Sequence, residues 1–225
     1  MQKTIVALFA LMLMSFGWQA TASYAQNTTE TIVLIRHGEK TPTELGQLDC
    51  QGLNRALALP HILIKKFGKP DYLFAPNPSA QIDAADGHMY SYVRPLATIE
   101  PTAILLGMPV NTQIAFYDIK QLQTELTKPQ YANALIFVAW EHGTEDQFAK
   151  NIMAAYSKDA SVVPHWPGKD YDSIFVIHLV HSGPTVTATF SIDHEGLNGK
   201  LSNSYPVAWR TYKTPLVAVQ TKVSP

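Results

Sequence analysis

The chain has 225 residues, 46% hydrophobic and 16% charged, with a formal net charge of -1. That length suffices for one α/β domain with a full core. The charge balance excludes a basic footprint for nucleic acid or an anionic membrane, so any anion site must be a local cluster of Arg and Lys. The single cysteine, Cys50, excludes an internal disulfide and a multi-cysteine metal cage.

Residues 1–25 differ from all that follows. Lys3 is the only charge, Ile5 to Trp18 is almost wholly apolar, and small residues follow at Ala20, Ala22, Ser23 and Ala25. This is the layout of a secretory signal, with cleavage after Ala25 or, alternatively, after Ala22. The apolar run is shorter than the roughly 20 residues a membrane span needs. The expected product is residues 26–225, a single domain that is periplasmic or secreted and has no stable membrane insertion.

The first strand is predicted at Ile32–Ile35, a buried aliphatic run that stops at Arg36-His37-Gly38. A polar loop, Glu39 to Gln51, leads to a helix from Leu53 that Pro60 should kink or restart, with Leu53, Leu57 and Ile64 on one face. Gly68 and Pro70 close it. Asp71–Ala75 is a short second strand, and Pro76–Tyr92 reads as a long, turn-rich loop. A helix starts at Arg94 with Pro95 in the first helical position, bends at Pro101 and ends at Gly107. Ala115–Leu126 is a further short helix.

Asn133–Trp140 is the second strong buried strand, ending at Glu141-His142-Gly143. Thr144 is the candidate N-cap of a helix over Glu145–Tyr156. Asp172–Val180 and Thr185–Ile192 alternate as strands, and Gly183-Pro184 between them predicts an antiparallel hairpin at the sheet edge. The order implies an α/β three-layer sandwich: a mainly parallel sheet with helices on both faces. His178 and His181 have an odd separation, which on a strand points them to opposite faces and argues against joint chelation. Trp140, Trp166 and Trp209 are simplest as core aromatics. Arg55 is either a support of the loop after the first strand or a surface arginine.

Two strong strands thus end in a histidine followed by glycine, where open α/β sheets bind ligands. If they are neighbours, His37 and His142 converge with Arg36 and Arg94. His37 as neutral imidazole would attack phosphorus. Nearby Arg36 and Arg94 would favour that neutral form and hold the phosphoryl oxygens through bidentate contacts. His142 would add a hydrogen bond as charge builds. Glu39 and Lys40 complete the expected substrate contacts. No metal or cofactor is called for.

Ile35-Arg36-His37-Gly38-Glu39-Lys40 resembles the signature of the histidine phosphatase superfamily, which includes phosphoglycerate mutases and acid phosphatases. Cys50-Gln51-Gly52-Leu53-Asn54-Arg55-Ala56 is similar to that family's L-T-x-x-G-x-x-R-A segment. Arg94 to Pro101 resembles its R-x-x-x-T-x-x-P/A helix, and His142 stands where its second histidine follows a strand. The resemblance spans Thr31 to Tyr156 and implies a phosphoglycerate mutase-like fold. It also implies a nucleophilic His37 and a phosphate pocket of Arg36, Arg94 and His142.

One departure concerns the proton donor. Many members carry a Glu after the arginine helix or an acid directly after the second histidine. Here Gly143 follows His142, and Asn111 to Leu122 contains only Asp118. Glu141 is an acid candidate, weakened if it and His142 both lie on the strand, since they would then point to opposite faces. Glu39, Asp83, Asp86 and His88 are alternatives from loops. A phosphatase with no strong acid favours good leaving groups, as do the superfamily's short phosphohistidine phosphatases. The expected activity is an exported, metal-independent phosphatase acting on phosphomonoesters or phosphohistidine, in a small molecule or a phosphoprotein. The alternative is a non-catalytic binder of a phosphorylated or anionic ligand.

Overall fold

The computed structural model describes residues 27–206. The expected leader and Trp209 lie outside the described residues. Among the described residues no helix is long and apolar enough to cross a membrane.

Strand β1 (Thr28–Arg36) occupies the middle of a six-stranded sheet. It pairs in parallel with β6 (Leu135–Trp140) and antiparallel with β7 (Ser173–Ser182). The parallel side continues through β2 (Tyr72–Phe74) to β5 (Val110–Asn111) at one edge. At the other edge β8 (Thr185–His194) forms the expected hairpin with β7 through Gly183-Pro184. Two short strands, β3 (Gln81–Asp83) and β4 (Met89–Ser91), pair only with each other. They occupy the stretch predicted as a structureless loop, and their pairing is closed by Ala84 donating to the His88 carbonyl at 2.9 Å.

Strand alternation builds the two cores. Val33 and Ile35 of β1, with Phe137 and Ala139 of β6, face helices α1 (Cys50–Phe67) and α2 (Arg94–Leu106). Ile32 and Leu34, with Ile136, Val138 and Trp140, face α3 (Ile119–Leu126) and α4 (His142–Tyr156). Because successive side chains on a strand point to opposite faces, a central strand with a core on each side must be apolar throughout. That is the three-layer sandwich expected.

Helix α1 runs uninterrupted past Pro60, whose ring is buried with Ala56, Leu59 and Leu63. Burial of that stripe offsets the cost of about 3 kcal/mol for an interior proline. The buried face is therefore not the one expected. Leu57 is half exposed, and Leu53 and Ile64 are only partly covered. The polar Arg55 takes a core position in their place, for the reason given below. Helix α3 is shorter than expected because Asp118 caps it, accepting from Gln121 N at 2.9 Å. Helix α4 starts before Thr144. Glu141 is its cap, with Oε2 accepting from Thr144 N at 3.0 Å, and His142 opens the first turn.

The far end of β1 carries an isolated carboxyl group. Glu30 is fully buried and its two oxygens lack a hydrogen-bond partner among the described residues, while His181 Nε2 lies 3.6 Å away. On the opposite face of β7, His178 Nδ1 lies 3.0 Å from Thr31 Oγ1. Burial raises the Glu30 carboxyl from its ordinary 4.5 to about 8. The folded chain therefore keeps a proton that the unfolded chain releases, and stability is lost as pH rises through that window. Glu30→Gln removes the titration. Its stability relative to wild type, measured by denaturant unfolding, should be flat below about pH 4.5 and rise by on the order of a few kcal/mol towards pH 8.

Candidate active site

The pairing of β1 with β6 sets Arg36 opposite Trp140, so the two strands end level. His37 N donates to the Trp140 carbonyl at 3.0 Å, extending that pairing by one residue beyond the strand. The chain then turns at Gly38, whose N–H donates to Thr98 Oγ1 at 2.9 Å. Thr98 in turn donates to the Arg94 carbonyl at 2.8 Å, which fixes the first turn of α2 to the loop that carries His37. The same loop crosses the start of α1 at closest range. A Cβ on Gly38 would sit 2.8 Å from the Gly52 carbonyl oxygen, and one on Gly52 would sit 2.7 Å from Glu39 N. Neither position tolerates a side chain without moving backbone.

His37 is only 2% exposed. Its Nδ1 lies 2.7 Å from the Gly38 carbonyl, which can only accept. Nδ1 therefore carries the proton, and Nε2 keeps its lone pair. The rings of Tyr92 and Tyr171 meet the imidazole edge-on at 5.9 and 6.3 Å. Burial, then Arg94, then Arg36 push its pKa down to about 3 against the opposing effects of the Gly38 bond and Glu141. At neutral pH the ring is uncharged.

Both arginines are buried. Arg36 Nη1 donates to the carbonyls of Gly168 and Asp170 at 2.8 and 2.9 Å, and its guanidinium stacks 3.8 Å from the Tyr171 ring centre. Arg94 lies 4.8 Å over the Tyr92 ring. Arg36 Nε and Arg94 Nε and Nη1 have no hydrogen-bond partner among the described residues. Buried charged donors left unpaired are costly, and an anion with several oxygens satisfies them together. Burial lowers the Arg36 pKa, opposed by Tyr171, Glu145 and Glu141.

His142 stands in the first turn of α4, a helix end that itself favours an anion. Its Nδ1 is 2.5 Å from Glu141 Oε1, and its Nε2 faces Gly168, where a Cβ would lie 3.5 Å away. Gly143 leaves room for this arrangement, since a Cβ there would lie 3.2 Å from Glu141 Oε2. Burial raises the Glu141 pKa, but contact with His142 and the N–H groups of Gly143 and Thr144 outweigh it and bring it to about 2. Glu141 is thus a carboxylate and holds no proton to give. The strand geometry expected to separate it from His142 does not apply, because the strand has already ended.

Arg94, Arg36 and Glu141 all act electrostatically on His37, and Arg36 and His142 both approach Gly168. The structure places Glu39 and Lys40 elsewhere. Glu39 receives Arg55 Nε at 3.0 Å and Nη2 at 2.6 Å, and Lys40 pairs with Glu44. Arg55, fully buried, also bonds Glu195 and lies 3.9 Å from Asp172. It joins the loop after β1 to the start of β7 and the end of β8, and so braces the loop that carries His37. Asp86, an alternative acid, accepts from His88 N and the Tyr90 hydroxyl on the exposed β3–β4 hairpin.

Several contributors had no sequence signal. Tyr92 sits two residues before Arg94 at the end of the turn-rich stretch, and the segment Gly168–Tyr171 lies far from the other site residues in sequence. Glu145 is fully buried beneath the site, and its carboxyl is held well above the ordinary range by burial and then by Glu141. Thr98 stood in the motif that opens at Arg94, and Gly52 and Arg55 in the one that opens at Cys50.

No family model matches the chain, and no curated protein matches it. Among solved structures, the proposed phosphohistidine phosphatase SixA of Nakamurella multipartitia is similar at 14% identity over 74% of this chain and 96% of that one, with a TM-score of 0.53. A mycobacterial glucosyl-3-phosphoglycerate phosphatase matches at 15% identity over 72% and 95% of the two chains, TM-score 0.49. A phosphoglycerate mutase of Plasmodium falciparum matches at 13% identity over 73% and 89%, TM-score 0.47. The chain shares its fold, the α/β three-layer sandwich, with the Nakamurella multipartitia protein.

The state of His37 can be read directly. Long-range proton–nitrogen spectra should show an Nδ1–H tautomer that stays neutral from pH 8 down to about 3. In Arg94→Ala the titration should move upward, since a neighbouring cation that opposed protonation is gone.

Proposed function

We propose that this chain is a phosphatase that hydrolyses phosphomonoesters or phosphohistidine through a phosphoryl group carried on His37. The observation behind this reading is the environment of His37: a neutral, buried imidazole with Nε2 unprotonated, beside guanidinium groups with three unpaired donor atoms.

The Nε2 lone pair forms a P–N bond as the P–O bond to the leaving group breaks. The electron pair goes to the leaving oxygen, which takes a proton. Water then adds to phosphorus, the P–N bond breaks and its electrons return to Nε2. Phosphoryl transfer is mostly a matter of position and charge, and here Arg36, Arg94 and the α4 N-terminus supply the charge. The reading needs no metal. Phosphohistidine fits the site because its nitrogen leaving group departs readily, and the similar Nakamurella multipartitia protein is itself a proposed phosphohistidine phosphatase. Export belongs to the proposal, supported by the signal-like pattern of residues 1–25.

The test is hydrolysis of an activated aryl phosphate and of a phosphohistidine peptide by the chain lacking residues 1–25. Turnover should persist with chelator present. It should fall by at least about 10³-fold in His37→Ala and by about 10²-fold in Arg94→Ala. Folded wild-type protein that binds phosphate but turns over neither substrate would make it an anion binder.

A further inference from the structure

Loss of the leaving group requires a proton donor, and the carboxyl groups nearest in sequence to the family's usual acids are engaged elsewhere. Asp118 caps α3, and Glu39 is held by Arg55. Glu145 is fully buried, with no surface to offer a substrate. Glu141, being a carboxylate, has no proton to donate.

We propose, resting on the phosphatase reading above, that the proton donor is His142, oriented by Glu141, so that a Glu–His pair within two consecutive residues replaces a free carboxylic acid. Three features support it. The Nδ1 of His142 lies 2.5 Å from Glu141 Oε1 as an ion-pair contact, and no hydrogen bond to Nδ1 forms among the described residues, so the carboxylate acts on the ring at close range through its charge. The remaining nitrogen, Nε2, faces Gly168, whose carbonyl receives Arg36 Nη1, so the ring and the guanidinium that would bind the phosphoryl group share a neighbouring residue. His142 is also more open than the nucleophile, with its side chain 25% exposed against 2% for His37, as befits a group that meets the departing alcohol.

In the first step the imidazolium of His142 gives its Nε2 proton to the leaving oxygen as the P–O bond breaks, keeping Nδ1–H towards Glu141. In the second, neutral Nε2 takes a proton from the attacking water as the P–N bond to His37 breaks. The pair returns to its starting state, with one water consumed and one phosphate and one alcohol released. His142 is the catalytic residue and Glu141 a positioning residue. The charged and titratable groups that sense Glu141 are Arg36 at the end of β1, His37 and Tyr92 from the loops, and Glu145 on α4 itself.

The proposal is tested by leaving-group dependence. Dinitrophenyl phosphate needs no proton on departure, whereas phenyl phosphate does. Glu141→Gln keeps an oxygen for the Thr144 N–H but removes the charge, and His142→Gln keeps a hydrogen-bond donor but not a transferable proton. kcat/KM reports events up to departure of the leaving group. Each variant should lose at least about 10²-fold more kcat/KM on phenyl phosphate than on dinitrophenyl phosphate, the lower end of the 10² to 10⁴-fold range of general acid catalysis. Equal losses on both substrates in both variants, with His37-dependent turnover intact in wild type, would overturn the donor assignment and leave the phosphatase reading standing. A folded wild type that hydrolyses only a phosphohistidine peptide would overturn the donor assignment, and one that hydrolyses neither aryl phosphate nor that peptide would overturn both.

Discussion

Two guanidinium groups buried beside one imidazole create the constraint on which this molecule depends. The cations suppress protonation of His37 and leave it nucleophilic. Their unpaired N–H groups are unfavourable in an empty site and favourable around a multivalent oxyanion. Aromatic faces hold them in place, with Tyr171 beneath Arg36 and Tyr92 beneath Arg94. These rings also enclose the imidazole and exclude the water that would otherwise stabilise its charged form.

The rest of the fold keeps these groups in register. Parallel pairing of β1 and β6 makes their ends level, so the loops carrying His37 and His142 leave the sheet as neighbours. Thr98 then joins the His37 loop to α2, and the facing glycines Gly38 and Gly52 let it close onto α1. Arg55 engages both oxygens of the Glu39 carboxylate and so fixes the loop that follows His37. Its fully buried charge is matched by Glu39 and Glu195, a balance that a buried ion needs to be tolerated.

What the sequence reveals and what it conceals follow the range of the interactions. The two apolar strands were legible because each is buried on both faces, and the His-Gly steps that end them mark the carboxyl edge of the sheet. Arg94 was legible from Pro95 beside it, since proline suits a helix start. The stripe of α1 was misread because Arg55 looks like a surface residue until its carboxylate partners arrive from Glu39 and Glu195. Glu39 itself looked like a substrate contact for want of the same partner. The N-cap at Glu141 was hidden by Thr144, the commoner capping type; the carboxylate wins because it also meets His142. Nothing local could announce Tyr171, which reaches the site only when β7 lies against β1.

The central claim is that His37 itself takes the phosphoryl group. It is tested most directly by quenching the wild-type chain with base within milliseconds of mixing with an activated phosphate ester, then locating the modification by mass spectrometry. The account requires a phosphoryl group on Nε2 of His37, formed and lost at rates compatible with turnover. Turnover with no phosphorylated His37, or with the group on another residue, would contradict it.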